Sequence, residues 1–71
     1  MPARPEKHSL TLAGHRTSVS LEPEFWDAFL RLARAEGRSV NDLALQIDAV
    51  RGEQGLASAI RVHVLRALQA R

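Results

Sequence analysis

"HRTSVSLEPEFW", residues 15–26, changes period in its middle. From His15 to Leu21 polar and apolar residues alternate, whereas Glu22-Pro23 opens a stretch whose apolar residues recur every three or four positions. The alternation predicts a β-strand at about 15–21. Thr17, Val19 and Leu21 turn toward a core and Arg16, Ser18 and Ser20 away from it, because successive side chains leave a pleat on opposite sides. A strand by itself leaves backbone N–H and C=O groups unpaired on both edges. The architecture of the whole chain therefore turns on the partner of this strand.

Two partners are available. One is internal: "SLTLAG" (9–14) also alternates, so a preceding strand at 9–13 closes a hairpin through Gly14-His15, with Gly at the first central position of a two-residue turn. That register sets Leu12 opposite Thr17 and Leu10 opposite Val19, and the apolar residues share a face. The other partner is the same strand of a second copy, antiparallel about a two-fold axis, with the helices of both chains closing one core.

Around the strand the local signals are simpler. Residues 1–7 (MPARPEK) hold two of the three prolines and no apolar period, and read as a flexible arm before a single domain at 8–71. A first helix at about 23–36 begins with Pro23 at its first position, where the missing N–H costs nothing, and ends at Gly37; Trp26, Phe29, Leu30 and Ala33 form its apolar stripe. Ser39 is the expected N-cap of a second helix at about 40–51, on which Val40, Leu43, Ala44, Ile47 and Val50 follow the helical period. "RGEQG" (51–55) turns the chain into a third helix at about 56–69 with Leu56, Ala59, Ile60, Val64, Ala67 and Leu68 on one face; Val62 and Leu65 fall outside it and suit a second surface, such as a partner's.

Size and composition bound the rest. A chain of 71 residues is at most one domain, and at this length only about 60 % of the unfolded surface is hidden on folding, so oligomerisation would help. There is no Cys for a disulfide or a thiolate zinc site, and no apolar run approaches the roughly 20 residues that span a bilayer. These features predict a soluble, unexported, cytoplasmic protein. The net charge of +2 is distributed as +2 over residues 1–16, −3 over 17–50 and +3 over 51–71, a polarised surface with basic ends.

A short strand, a helix begun at Pro, a Gly-containing turn and a Ser-capped second helix resemble the ribbon-helix-helix family of bacterial and phage DNA-binding proteins, of the Arc and MetJ type. "GRSVN" (37–41) is similar to the turn before the second helix in that family, and "GLASAIRVHVL" (55–65) resembles a subgroup of small bacterial members. The resemblance implies a mainly α fold with a short N-terminal strand or hairpin, an additional C-terminal third helix, and an intertwined homodimer. It implies a repressor-like transcriptional regulator that lays an antiparallel β-ribbon in the major groove of double-stranded DNA.

Carried over by position, the family's base-contacting residues fall on Arg16, Ser18 and Ser20, the same three that the alternation turns outward. A guanidinium donates two parallel bonds to guanine O6 and N7, so Arg16 should discriminate most, while a hydroxyl tolerates several bases. The family's phosphate contact at the start of the second helix maps to Ser39, Val40 and Asn41, the last two through their backbone N–H groups. Two features go beyond the minimal pattern. A strand at 9–13 outside the ribbon would widen a unit that fits the groove when two strands broad. A third helix can brace the dimer or hold a protein partner, as in an antitoxin or adaptor, and its Arg61, Arg66 and Arg71 can reach phosphate or water.

Other chemistries find little support. His8, His15 and His63 match no common metal-ligand spacing, so neither metal nor cofactor is expected. His63 lies on the apolar side of the third helix, and the helical spacing of Trp26 assigns it to the core rather than to base stacking. No nucleophile–base pair, phosphate-binding glycine loop or carboxylate pair stands out, and an enzyme is not expected.

Overall fold

Ala13 and Gly14 sit at φ +51° and +83°, the two central residues of a hairpin turn in which both are left-handed. In the computed structural model, which describes residues 4–70, this turn joins β1 (Glu6–Leu12) to β2 (His15–Leu21) in a two-stranded antiparallel sheet. Along one of its edges the 15–21 strand thus takes the internal partner. The register pairs Leu12 with His15, Leu10 with Thr17, His8 with Val19 and Glu6 with Leu21.

Both turn and register differ from the sequence expectation. The turn is Ala13-Gly14 instead of Gly14-His15, and Leu10 meets Thr17 instead of Val19. The partner slides by two residues, which keeps every side chain on its expected face. Both are two-residue turns that suit the right-handed twist of the strands, and Gly14 is accepted at either central position; the observed register pairs all seven residues of β1 with all seven of β2. β1 also starts earlier than 9–13 and takes in Glu6 and Lys7, which composition had assigned to an arm. Residues 1–3 of that arm lie outside the described residues.

Ala13 bears the cost of this turn, since its Cβ crowds the left-handed region that Asn tolerates. Ala13→Asn is expected to stabilise the fold by about 1 kcal/mol, seen as a thermal midpoint higher by about 4–8 °C in a calorimetric scan.

The helices follow local chemistry. α1 (Pro23–Ala35) has Pro in its first turn and ends on Gly37 at φ +68°, where Gly37 N–H bonds the Arg34 carbonyl (3.0 Å) and Arg38 N–H the Ala33 carbonyl (3.0 Å), a Schellman closure. α2 (Val40–Val50) is capped by Ser39, whose Oγ accepts from Asp42 N–H at 3.0 Å. Arg51 closes the link to α3 (Leu56–Gln69) through Asp48 (2.6 Å) and the Gln54 carbonyl (2.7 Å). No helix among the described residues is long and apolar enough to cross a membrane.

One side of the hairpin lies on the helices. Leu10, Leu12, Val19 and Leu21 are buried with Phe29 and Ala33 of α1, Leu43, Ala44 and Ile47 of α2, and Ala59, Ile60 and Val64 of α3. A single chain closes this core. Strand pairing between copies would have to use an outer edge of this two-stranded sheet, that of β1 or that of β2.

Several residues leave their expected stripes. Thr17 is exposed near the hairpin tip, in an open crevice with Leu12, Leu45 and Leu56. Leu30, Val50 and Leu68 are also exposed, while Phe25 and Leu32 pack on the core in their place. Each helix packs against the sheet and against the other two helices, so its buried surface departs from a single periodic stripe.

Candidate nucleic-acid interface

The other face of the hairpin is wholly polar. Arg16, Ser18 and Ser20 stand outward and exposed on β2, and the register places Thr11, Ser9 and Lys7 of β1 directly across from them in that order, also exposed. Two cations and four hydroxyls share this face without a carboxylate or an apolar side chain. The three β2 residues were legible in the sequence. Ser9 and Thr11 alternate outward in the same way on the 9–13 segment, whereas the Pro-rich composition before it masks Lys7.

The start of α2 is drawn to this ribbon. Asn41 Oδ1 accepts a 2.9 Å hydrogen bond from Thr11 N–H on the outer edge of β1. Thr11 faces Arg16 across the hairpin, so the two groups predicted separately, outward strand residues and helix N-terminus, lie side by side with β1 between them. Ser39 Oγ already accepts from Asp42, which leaves its hydroxyl proton free to donate. Val40 and Asn41 are in the first turn, where N–H groups have no intrahelical acceptor. The Asn41 side chain has a structural task that the sequence did not reveal. The Arg38 side chain runs along the same helix, donating to the Asp42 carbonyl (3.2 Å) and to Gln46 Oε1, and its Nη1 lies 3.6 Å from the Glu36 carboxylate.

The edge of β2 is held as well. Arg61 Nε donates to Glu22 Oε1 at 2.9 Å and its Nη2 to the Ser20 carbonyl at 3.3 Å, with the guanidinium 5.9 Å from the Phe25 ring centroid. Of the three C-terminal arginines considered for phosphate, Arg61 is engaged within the fold, Arg66 is exposed and Arg71 lies outside the described residues. The Arg61 hydrogen bond, helped by a backbone N–H, holds the Glu22 carboxyl below the ordinary value near 4.5, against a weaker opposing effect of desolvation. A lowered carboxyl contributes stability that is complete above the unfolded value and fades as pH falls through the folded one. Glu22→Gln should therefore remove part of the acid sensitivity. In urea titrations the wild-type midpoint is expected to fall from about pH 4.5 downward more steeply than that of the variant.

The aromatic residues lie beneath the ribbon. His8 stacks on Trp26 with ring centroids 3.9 Å apart and planes 6° from parallel, and Trp26 meets Phe29 at 5.9 Å. His8 Nε2 is buried without a hydrogen-bond partner among the described residues, and the Glu6 carboxylate is 3.9 Å away. His15 is exposed at the hairpin tip and His63 half-buried on α3. Trp26 is thus a packing residue remote from the polar face.

Comparison with protein families matches residues 5–68 to the ribbon-helix-helix domain. No curated protein and no solved structure matches the chain. The matched span runs from just before β1 almost to the end of α3, so the extra strand and the third helix fall within the family pattern. A match over this much of the chain shows that it belongs to the ribbon-helix-helix family.

Proposed function

We propose that this protein is a sequence-specific DNA-binding regulator of transcription, acting in the bacterial cytoplasm as a homodimer on a pseudo-palindromic operator. An antiparallel β-ribbon enters the major groove, Arg16, Ser18 and Ser20 meet base edges, and the N-terminus of α2 at Ser39, Val40 and Asn41 meets phosphate. The supporting observation is the hairpin face of cations and hydroxyls, free of carboxylates, beside a capped helix start. Hydrogen-bond donors and positive charge suit base acceptors and backbone phosphate together.

The test is a fluorescence-anisotropy titration against duplexes selected from a random pool, over a series of salt concentrations. Affinity should fall linearly on a log–log salt plot, and the selected duplex should bind at least about 10³-fold tighter than a scrambled one. Sedimentation of the complex should show two protein copies on a full operator. Absence of salt-dependent duplex binding would end this reading.

A second reading has its own support. Leu65 and Leu68 on α3 are 51 % and 49 % exposed, and a cleft between α1 and α3 is lined by Arg31 together with Ala28, Leu32, Ala35, Val64, Ala67 and Leu68. Such an apolar strip suits a protein partner, in the manner of an antitoxin or adaptor. Because Ile60 and Val64 of α3 are core residues, its removal would unfold the chain. Leu65→Lys with Leu68→Lys separates the readings, leaving duplex binding intact while abolishing any partner contact on that strip.

A further inference from the structure

We propose that the Asn41 side chain is a positioning residue. By accepting the Thr11 N–H it fixes the start of α2 against β1, so that the grip of the helix on phosphate sets which base pairs lie under Arg16, Ser18 and Ser20. This role rests on the DNA binding proposed above, and adds to it a side chain that acts through the fold without touching a base.

The bond has no local cause. Asn41 lies in the first turn of α2, where the Ser39 hydroxyl already takes the Asp42 N–H. Its Oδ1 reaches instead to a strand 30 residues earlier and lies 2.9 Å from the Thr11 nitrogen. A backbone N–H can only donate, so the amide oxygen must face β1 and the Nδ2 group turns away from it.

The hairpin presents Thr11 for this bond. Leu12 and His15 flank the two-residue turn and bond each other, so the next pair, Thr11 and Arg16, points its N–H and C=O groups out of the sheet edges. In such a pair the two Cα atoms are about 4.5 Å apart, which places the bond to α2 directly across from the Arg16 backbone. Arg61 of α3 holds the Ser20 carbonyl at 3.3 Å, but at the end of β2 remote from the turn. Among the described residues, Asn41 therefore makes the helix-to-hairpin hydrogen bond nearest Arg16.

What this bond adds is direction. Leu43, Ala44 and Ile47 of α2 share the buried cluster with Leu10 and Leu12 of β1, and apolar contact resists separation while tolerating a slide along the strand. A slide of about 1 Å breaks a hydrogen bond of this length. Phosphate contacts fix the register and orientation of a protein on a duplex, whereas base contacts carry the sequence information. A helix start free to slide on the hairpin would still meet phosphate, yet would no longer fix the base pair beneath Arg16.

Asn41 is exposed, so Asn41→Ala is expected to keep native circular dichroism. Amide hydrogen exchange in the free protein reads the bond itself. The Thr11 amide should exchange about two to ten times faster in Asn41→Ala, and Asn41→Asp, which keeps an acceptor oxygen, should restore the wild-type rate. Fluorescence anisotropy reads the consequence: Asn41→Ala should lose about tenfold against the selected duplex and less than about twofold against a scrambled one. An unchanged Thr11 exchange rate overturns the proposal without reference to DNA. Equal losses on both duplexes would make Asn41 an ordinary phosphate contact, and no loss on either would make its bond purely structural; each result overturns the positioning role while DNA binding stands. If wild type shows no salt-dependent duplex binding, the proposed function and this role fall together, whatever the exchange rate.

Discussion

Phe29→Ala is expected to destabilise the fold by about 3–5 kcal/mol, the largest effect of any single substitution considered. Phe29 is 0 % exposed, its ring lies 5.9 Å from that of Trp26, and it shares one apolar cluster with Leu10, Leu21, Leu43 and Ile60. Removing the ring forfeits its transfer energy and leaves a cavity among elements that are pinned to one another by the hairpin and the helix caps. At roughly 0.05–0.15 kcal/mol per residue, a chain of this length has only about 4–10 kcal/mol to lose. The variant should thus be partly unfolded at room temperature, whereas Phe29→Leu, which keeps most of the volume, should cost far less. Urea denaturation followed by circular dichroism measures both. A loss below about 1 kcal/mol for the alanine variant would mean that Phe29 is not at the centre of the packed core.

Arg16→Ala is the corresponding test on the functional side. Its side chain is exposed on the outer face and makes no hydrogen bond or ion pair among the described residues, so the substitution leaves stability nearly unchanged. Against the selected duplex it should cost about 1–3 kcal/mol, a loss of roughly fivefold to more than a hundredfold, with preference relaxed at one base pair per half-site. Arg16→Lys separates charge from geometry. It keeps the slope of affinity against salt but loses discrimination, since an ammonium lacks the planar fork that matches guanine O6 and N7. Ser18→Ala and Ser20→Ala should have smaller effects, because a hydroxyl serves several bases. Competition titrations with single-base operator variants resolve these cases, and an unchanged preference for Arg16→Ala would remove that residue from base reading.

What the sequence by itself determined is local. Pro23, Gly37, Ser39 and the "RGEQG" segment set the bounds of the helices because capping and backbone preference act within a few residues. The alternation at 15–21 likewise set which side chains of β2 point outward, since the pleat has a period of two. Only the tertiary structure decided that one edge of the strand takes the internal partner, because an internal and an intermolecular partner satisfy its backbone equally well. It also chose the turn, with Ala13 in the left-handed region, and so drew Lys7 into the ribbon. Asn41 on the Thr11 edge and Arg61 on Glu22 are separated by 30 and 39 residues, and no local pattern announces such pairs. They follow from how three helices settle on one hairpin face, where the packing of the whole chain, rather than the preference of any segment, brings distant groups within hydrogen-bond reach.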